Sequence, residues 1–212
     1  MSWVIIKGGP VMIPILLGSV LGLAIIIEKF WSFWSIRLDA SQFAKDVFSR
    51  LRTGQIDSAL KLCSENLRHP LAKVFQTGIE KRNLPPLELE RILERVGTYQ
   101  INGLEKYLGG LISIIGIEPL LGFLGTITGL IRAFMAWEQA GSSITVSALA
   151  GGIYEAMITT AAGLTVAVPY YLLCNYFISR IKHLSHELSN YSMELTEVIA
   201  ETGRLSAKSL KA

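Results

Sequence analysis

The chain has 212 residues, half of them hydrophobic and 17% charged, where an ordinary soluble domain carries about 25% charged residues. That deficit points to lipid and excludes disordered and collagen-like chains. The formal charge of +3 is too small and too dispersed to argue for nucleic acid. Two cysteines far apart, Cys63 and Cys174, exclude a disulfide-stapled secreted scaffold.

The remaining charges are unevenly placed. Residues 10–27 contain none, 107–131 contain only Glu118, and 139–179 contain only Glu155. A helical crossing of hydrocarbon needs roughly 20 mostly apolar residues, so three spans are expected. The first, PVMIPILLGSVLGLAIII from Pro10 to Ile27, could pass for the apolar part of a signal peptide. Only Lys7 precedes it, however, no small-x-small cleavage pattern follows, and it ends in the interfacial run Glu28-Lys29-Phe30-Trp31. It reads as a retained span, TM1.

A polar insert of helical character follows. Asp39 to Leu51 places Phe43, Val47, Phe48 and Leu51 at helical spacing, and a second helix starts at Asp57 after Thr53-Gly54. Pro70 and then Pro85-Pro86 punctuate the next two. After Pro86, Glu90 and Glu94 alternate with Arg91 and Arg95, and the pattern runs into the second apolar stretch with no breaker other than glycine. One continuous rod is expected there.

The second and third apolar runs need a turn between them, and Trp137 to Ser143 is the polar, glycine-containing place for it. TM2 then falls near 108–136 and TM3 near 144–178, both longer than about 30 Å of hydrocarbon requires at 1.5 Å per residue. Thirteen lysines and arginines lie in 28–106, five more follow residue 178, and 133–147 has none. That bias puts the insert and tail on the cytoplasmic side. The expected class is therefore an all-α integral membrane protein with three transmembrane helices, TM2 and TM3 being long and extending into the cytoplasm, and a helical cytoplasmic insert. The expected layout is a short extracytoplasmic N-terminus at 1–9, TM1 at 10–27, the insert at 28–107, TM2 at 108–136, a periplasmic turn at 137–143, TM3 at 144–178 and a cytoplasmic tail at 179–212.

At 100° per residue, Glu118, Gly122, Gly125, Thr126, Gly129 and Ala133 share one stripe of TM2, and Ala148, Gly152, Glu155, Thr159, Gly163 and Val166 share one of TM3, with Ala156 and Thr160 on its edge. Gly125-x-x-x-Gly129 and Gly152-x-x-x-Ala156-x-x-x-Thr160 let helix backbones approach closely in lipid, so these positions are either tight packing or the wall of a pore. With a turn near Ala140-Gly141, Thr126 and Glu155 come to similar height. A glutamate at a helix centre costs roughly 2.5–3.5 kcal/mol to insert and should face protein or a watery cavity. Glu155 is then either a structural group satisfied by Thr126 or Arg132, or part of an ion path. Glu118, before Pro119, is expected near the inner interface as a solvated entrance charge or salt bridge.

His69, His183 and His186 lack the spacing of a metal site. No Walker loop, G-x-S-x-G elbow or HExxH motif occurs in the sequence, so neither an enzyme nor a cofactor is expected. Membrane potential, worth about 2.3 kcal/mol per charge per 100 mV, is the energy source left.

LLGFLGTITGLIRAF (Leu120 to Phe134) and ALAGGIYEAMITTAAGLTVAVPYYLLCNYF (Ala148 to Phe177) resemble the MotA/TolQ/ExbB proton channel family, its ExbB/TolQ branch above all. The resemblance extends to AIIIEKFW at the end of TM1 and, in the insert, to GQIDSALKLCSEN and HPLAKVFQTGIEK, and so covers about residues 10 to 185. It implies a proton-channel or motor subunit of the bacterial inner membrane that forms a homo-oligomer, a pentamer, around an ExbD/TolR-like single-span partner carrying the proton-binding aspartate. A TonB/TolA-like energy transducer is a further implied partner. By the same resemblance the pore threonines are Thr126 and Thr160 and the third-span glutamate is Glu155. Glu118 departs from the family, which commonly has a small residue there. A membrane scaffold that only stabilises a partner, a flagellar or gliding-type stator subunit and an independent ion transporter are the alternatives; the last would need ion-binding carboxylates and broken helices of its own.

Overall fold

The computed structural model describes residues 8–36, 38–140 and 146–209, and the side chains of all of these but 140, 146–149 and 204–209. The segment 141–145 of the expected turn, most of the expected N-terminal segment and the side chain of Ala148 lie outside the described residues. Among the described residues seven α-helices follow one another: α1 Met12–Ser35, α2 Ala40–Arg52, α3 Ile56–Glu65, α4 Pro70–Glu80, α5 Pro86–Glu105, α6 Leu108–Ala140 and α7 Val146–Ser209. No strand occurs among the described residues. Stretches of α1, α6 and α7 are long and apolar enough to cross a membrane.

The chain divides into two compact units, residues 1–28 with 107–177, and residues 29–106 with 178–212. The second unit is built like a small soluble domain. Asp39 caps α2 by accepting from the Gln42 amide at 3.1 Å, and His69 caps α4 by accepting from the Leu71 amide at its Nδ1, also at 3.1 Å. Pro70 and Pro86 occupy the first turns of α4 and α5, where a missing N–H removes no helix bond. Gly54 turns the chain between α2 and α3 at φ +75°, a left-handed conformation that glycine adopts freely. Phe43 and Phe48 of α2 pack on Phe75 of α4 with ring centroids 5.8 and 5.3 Å apart. Leu89 and Leu93 of α5 and Leu188 and Leu195 of α7 complete that core. Burial of Phe43, Val47, Phe48 and Leu51 is what their helical spacing predicts.

One expectation fails here. The helix entering the second apolar run is not a continuous rod: Lys106 has extended backbone, ψ 136°, and Tyr107 is left-handed at φ 70°. A non-glycine residue in that region carries roughly 1–3 kcal/mol of strain. Nothing in the Lys106-Tyr107 side chains signals the break, because the usual marker of a left-handed residue, glycine or asparagine, is absent.

Candidate functional site

In the first unit, α6 and α7 pack antiparallel along a seam of small residues. A Cβ added to Gly129 would lie 2.8 Å from the Gly152 carbonyl oxygen and 2.9 Å from the Ala156 nitrogen. One added to Gly163 would lie 2.5 Å from the Glu118 carbonyl oxygen, and one at Gly122 would lie 3.0 Å from the Thr160 Cα. These are backbone atoms, which cannot swing aside. The stripe of TM2 glycines and that of Gly152, Ala156 and Gly163 thus meet each other, and the close approach that small side chains permit is realised along the whole seam. Gly125 receives the Thr159 side chain. Thr159 is fully buried and bonds back to the Glu155 and Ala156 carbonyls at 3.0 Å each, which makes it a packing residue.

The seam brings two hydroxyls together. Thr126 of α6 and Thr160 of α7 are in mutual hydrogen-bond contact, and both reach the same two carbonyls: Thr126 lies 3.2 Å from Gly122 O and 3.3 Å from Ala156 O, Thr160 3.0 and 3.3 Å from the same pair. Two hydroxyl protons serve three sets of acceptors, so the donor directions can be exchanged without moving a heavy atom. Both threonines are only half-buried in the single chain. A hydroxyl pair with unused lone pairs and one open edge is able to bind water or a carboxyl group from outside.

Glu155 turns away from that pair. Although Thr126 reaches the carbonyl of Ala156, a helical side chain leans toward its own N-terminus, and the Glu155 carboxylate goes back up α7 to accept from the Arg132 guanidinium at 2.5 Å. Of the two partners considered from the sequence, Arg132 and not Thr126 takes it. Gly9, left-handed at φ +66°, covers the pair: a Cβ there would collide with the Glu155 carboxylate and come within 3.3 Å of Arg132. The pair sits beside the residue that precedes TM1, while half of the Arg132 side chain stays open.

Glu118 is placed differently from the solvated entrance charge expected of it. Its exposure is 1%, and its carboxyl lies over Gly18 of α1, so closely that a Cβ at Gly18 would overlap Oε1. Tyr170 of α7 crosses the next glycine of α1, Gly22, and donates its hydroxyl to the Ser19 carbonyl at 2.6 Å. Gly18 stands eight residues after Pro10 and ten before Glu28, which is about 12 and 15 Å from the two ends of the apolar run. The carboxyl is therefore level with the middle of that apolar run. Gly18, Gly22 and Tyr170 were not singled out from the sequence, yet Gly18-x-x-x-Gly22 is the same small-x-x-x-small signal that marks TM2 and TM3. Among the described residues no group of three or more histidine, cysteine or acidic side chains is arranged to hold a metal.

The profile of the MotA/TolQ/ExbB proton channel family matches residues 66–190. A putative biopolymer transport protein ExbB-like 3 of Synechocystis is 34% identical over 81% of this chain and 82% of its own length. The biopolymer transport protein ExbB of Salmonella typhimurium is 27% identical over 94% of this chain and 82% of its own. The Tol-Pal system protein TolQ of Haemophilus influenzae is 32% identical over 47% of this chain and 43% of its own.

Proposed function

Since the chain belongs to the MotA/TolQ/ExbB proton channel family, we propose that it is the channel subunit of a proton-driven motor in the bacterial inner membrane. It works with an ExbD/TolR-like single-span partner and energises transport or maintenance of the envelope. TM1 is 10–27, TM2 108–136 and TM3 144–178. The N-terminus and the 137–143 turn face the periplasm, and the insert 28–107 and the tail from 179 lie in the cytoplasm, with TM2 and TM3 extending into it. The lysine and arginine bias favours this orientation.

The observation that carries the reading is the Thr126–Thr160 pair. In a homopentamer around the partner's helices, each half-open hydroxyl pair offers donors and acceptors to the partner's carboxyl or to water at one depth, and its exchangeable donor directions let a proton be taken on one side and released on the other. The chain supplies the polar track and the partner supplies the carboxylate. Glu155, held by Arg132 near the periplasmic end, forms the outer mouth, and its ion pair keeps a fixed dipole where protons enter. Gly122, Gly125, Gly129, Gly152, Ala156, Thr159 and Gly163 hold α6 and α7 close enough for the threonines to meet. A TonB/TolA-like transducer would carry the work outward.

Complementation tests the proposal. Thr160→Ala and Glu155→Ala each abolish energised function in cells while the subunit still reaches the membrane and co-purifies with its partner in mild detergent. Full activity of both variants would favour a scaffold that only holds the partner.

A further inference from the structure

We propose that Glu118 is a proton-binding site belonging to the subunit itself, an un-ionised carboxylic acid sealed between TM1, TM2 and TM3. Its side chain is essentially inaccessible within a single chain, before any second subunit or partner is added. One oxygen, Oε2, is buried without a hydrogen-bond partner. A carboxylate in that position would be a charge about 12 Å or more from either end of the apolar run with one oxygen left without a hydrogen bond.

Among the described residues no element packed against it brings a cation to it. From TM1, residues 10–27 contribute no ionisable side chain. Lys29, three turns beyond Gly18 on the same helix, donates to the Leu104 carbonyl at 2.9 Å. From TM2, Glu118 is itself the only ionisable group between Leu108 and Ile131, and Arg132 is engaged by Glu155. From TM3 the nearest ionisable group is Tyr170, whose proton goes to Ser19.

A hard cation needs several oxygen ligands, and among the described residues no group of three or more histidine, cysteine or acidic side chains is arranged to supply them. The Ile114 side chain also borders the space over Gly18 that the carboxyl fills. A Cβ at Gly18 would take the place of Oε1, so the carboxyl would have to swing aside. The site is independent of the Thr126–Thr160 pair and of any borrowed carboxyl, so it stands or falls apart from the channel reading.

Infrared spectroscopy of the full-length protein in lipid at pH 7, without a partner, decides the matter. The expected spectrum contains the carbonyl stretch of a protonated carboxyl, moved to lower frequency in deuterium oxide and lost in Glu118→Gln. That variant, a neutral isostere of the acid, is expected to unfold at the wild-type temperature. A spectrum in which Glu118→Gln removes carboxylate intensity and leaves the protonated-carboxyl region unchanged would overturn the proposal. So would a wild-type spectrum with no protonated-carboxyl band.

Discussion

Gly129→Ala adds one carbon to the seam where two backbones lie in close contact. The new Cβ starts 2.8 Å from Gly152 O, 2.9 Å from Ala156 N and 3.1 Å from Ala156 Cα, against the 3.5–4.0 Å of a comfortable contact. The helices must part by roughly 0.6–1 Å, since no side chain is available to rotate. Overpacking of this kind costs about 1–3 kcal/mol, offset by up to about 1 kcal/mol of helix propensity that alanine gains over glycine. Thr126 is one turn away, and its 3.3 Å contact with Ala156 O would lengthen past hydrogen-bonding range. The expected outcome is a lower unfolding temperature in detergent together with loss of energised function. Gly103→Ala is the control: its Cβ would meet nothing within 4 Å, so the same change there should be neutral or stabilising by up to about 1 kcal/mol. If Gly129→Ala and Gly103→Ala unfold alike and both work, the seam does not set the position of the threonines.

Other consequences follow from single contacts. Arg132→Ala and Glu155→Ala share one ion pair whose arginine is half exposed, so in thermal unfolding the double variant should fall short of the summed losses by about 0.2–1 kcal/mol; full additivity would mean that the pair does not form. Burial pushes the His69 imidazole down to about 4 from an ordinary 6.5, so between these values the unfolded chain binds a proton that the folded chain does not. Stability is full above pH 6.5 and declines as pH falls toward 4, by a sum on the order of 3 kcal/mol. His69→Asn, which keeps a capping side chain, should flatten that decline in acid unfolding curves, and an unchanged slope would refute the assignment. Burial likewise pushes the Cys63 thiol up to about 12. Alkylation at pH 8 followed by peptide mass analysis should find Cys63 unmodified until the protein is denatured.

The amphipathic insert was readable from its sequence because its helices obey local rules: aspartate or proline at their starts, a glycine between α2 and α3, and phenylalanines spaced along one face. The glycine stripes of TM2 and TM3 were readable for the same reason, and their meeting brings Thr126 to Thr160. What local rules do not contain is direction. Glu155 and Thr126 reach neighbouring heights, but the lean of a helical side chain carries the carboxylate to Arg132 and under Gly9, a contact with the chain's beginning that no periodicity reveals. The placement of Glu118 turned on rise: ten residues into a helix that starts at Leu108 is about 15 Å, too far along for its side chain to reach back to the helix start. The break at Tyr107 had no marker at all, since a left-handed tyrosine is stabilised by surroundings and not by its own preference.

Proton flux is the most direct measurement. Vesicles containing the full-length protein and its cognate partner, loaded with a pH-sensitive dye, should dissipate an imposed pH gradient when the partner is unlocked. Vesicles with Thr126→Ala and Thr160→Ala together should hold the gradient although the complex is intact by co-purification. Wild-type vesicles that never lose the gradient, or a double variant that loses it at the wild-type rate, would contradict a proton path along these hydroxyls.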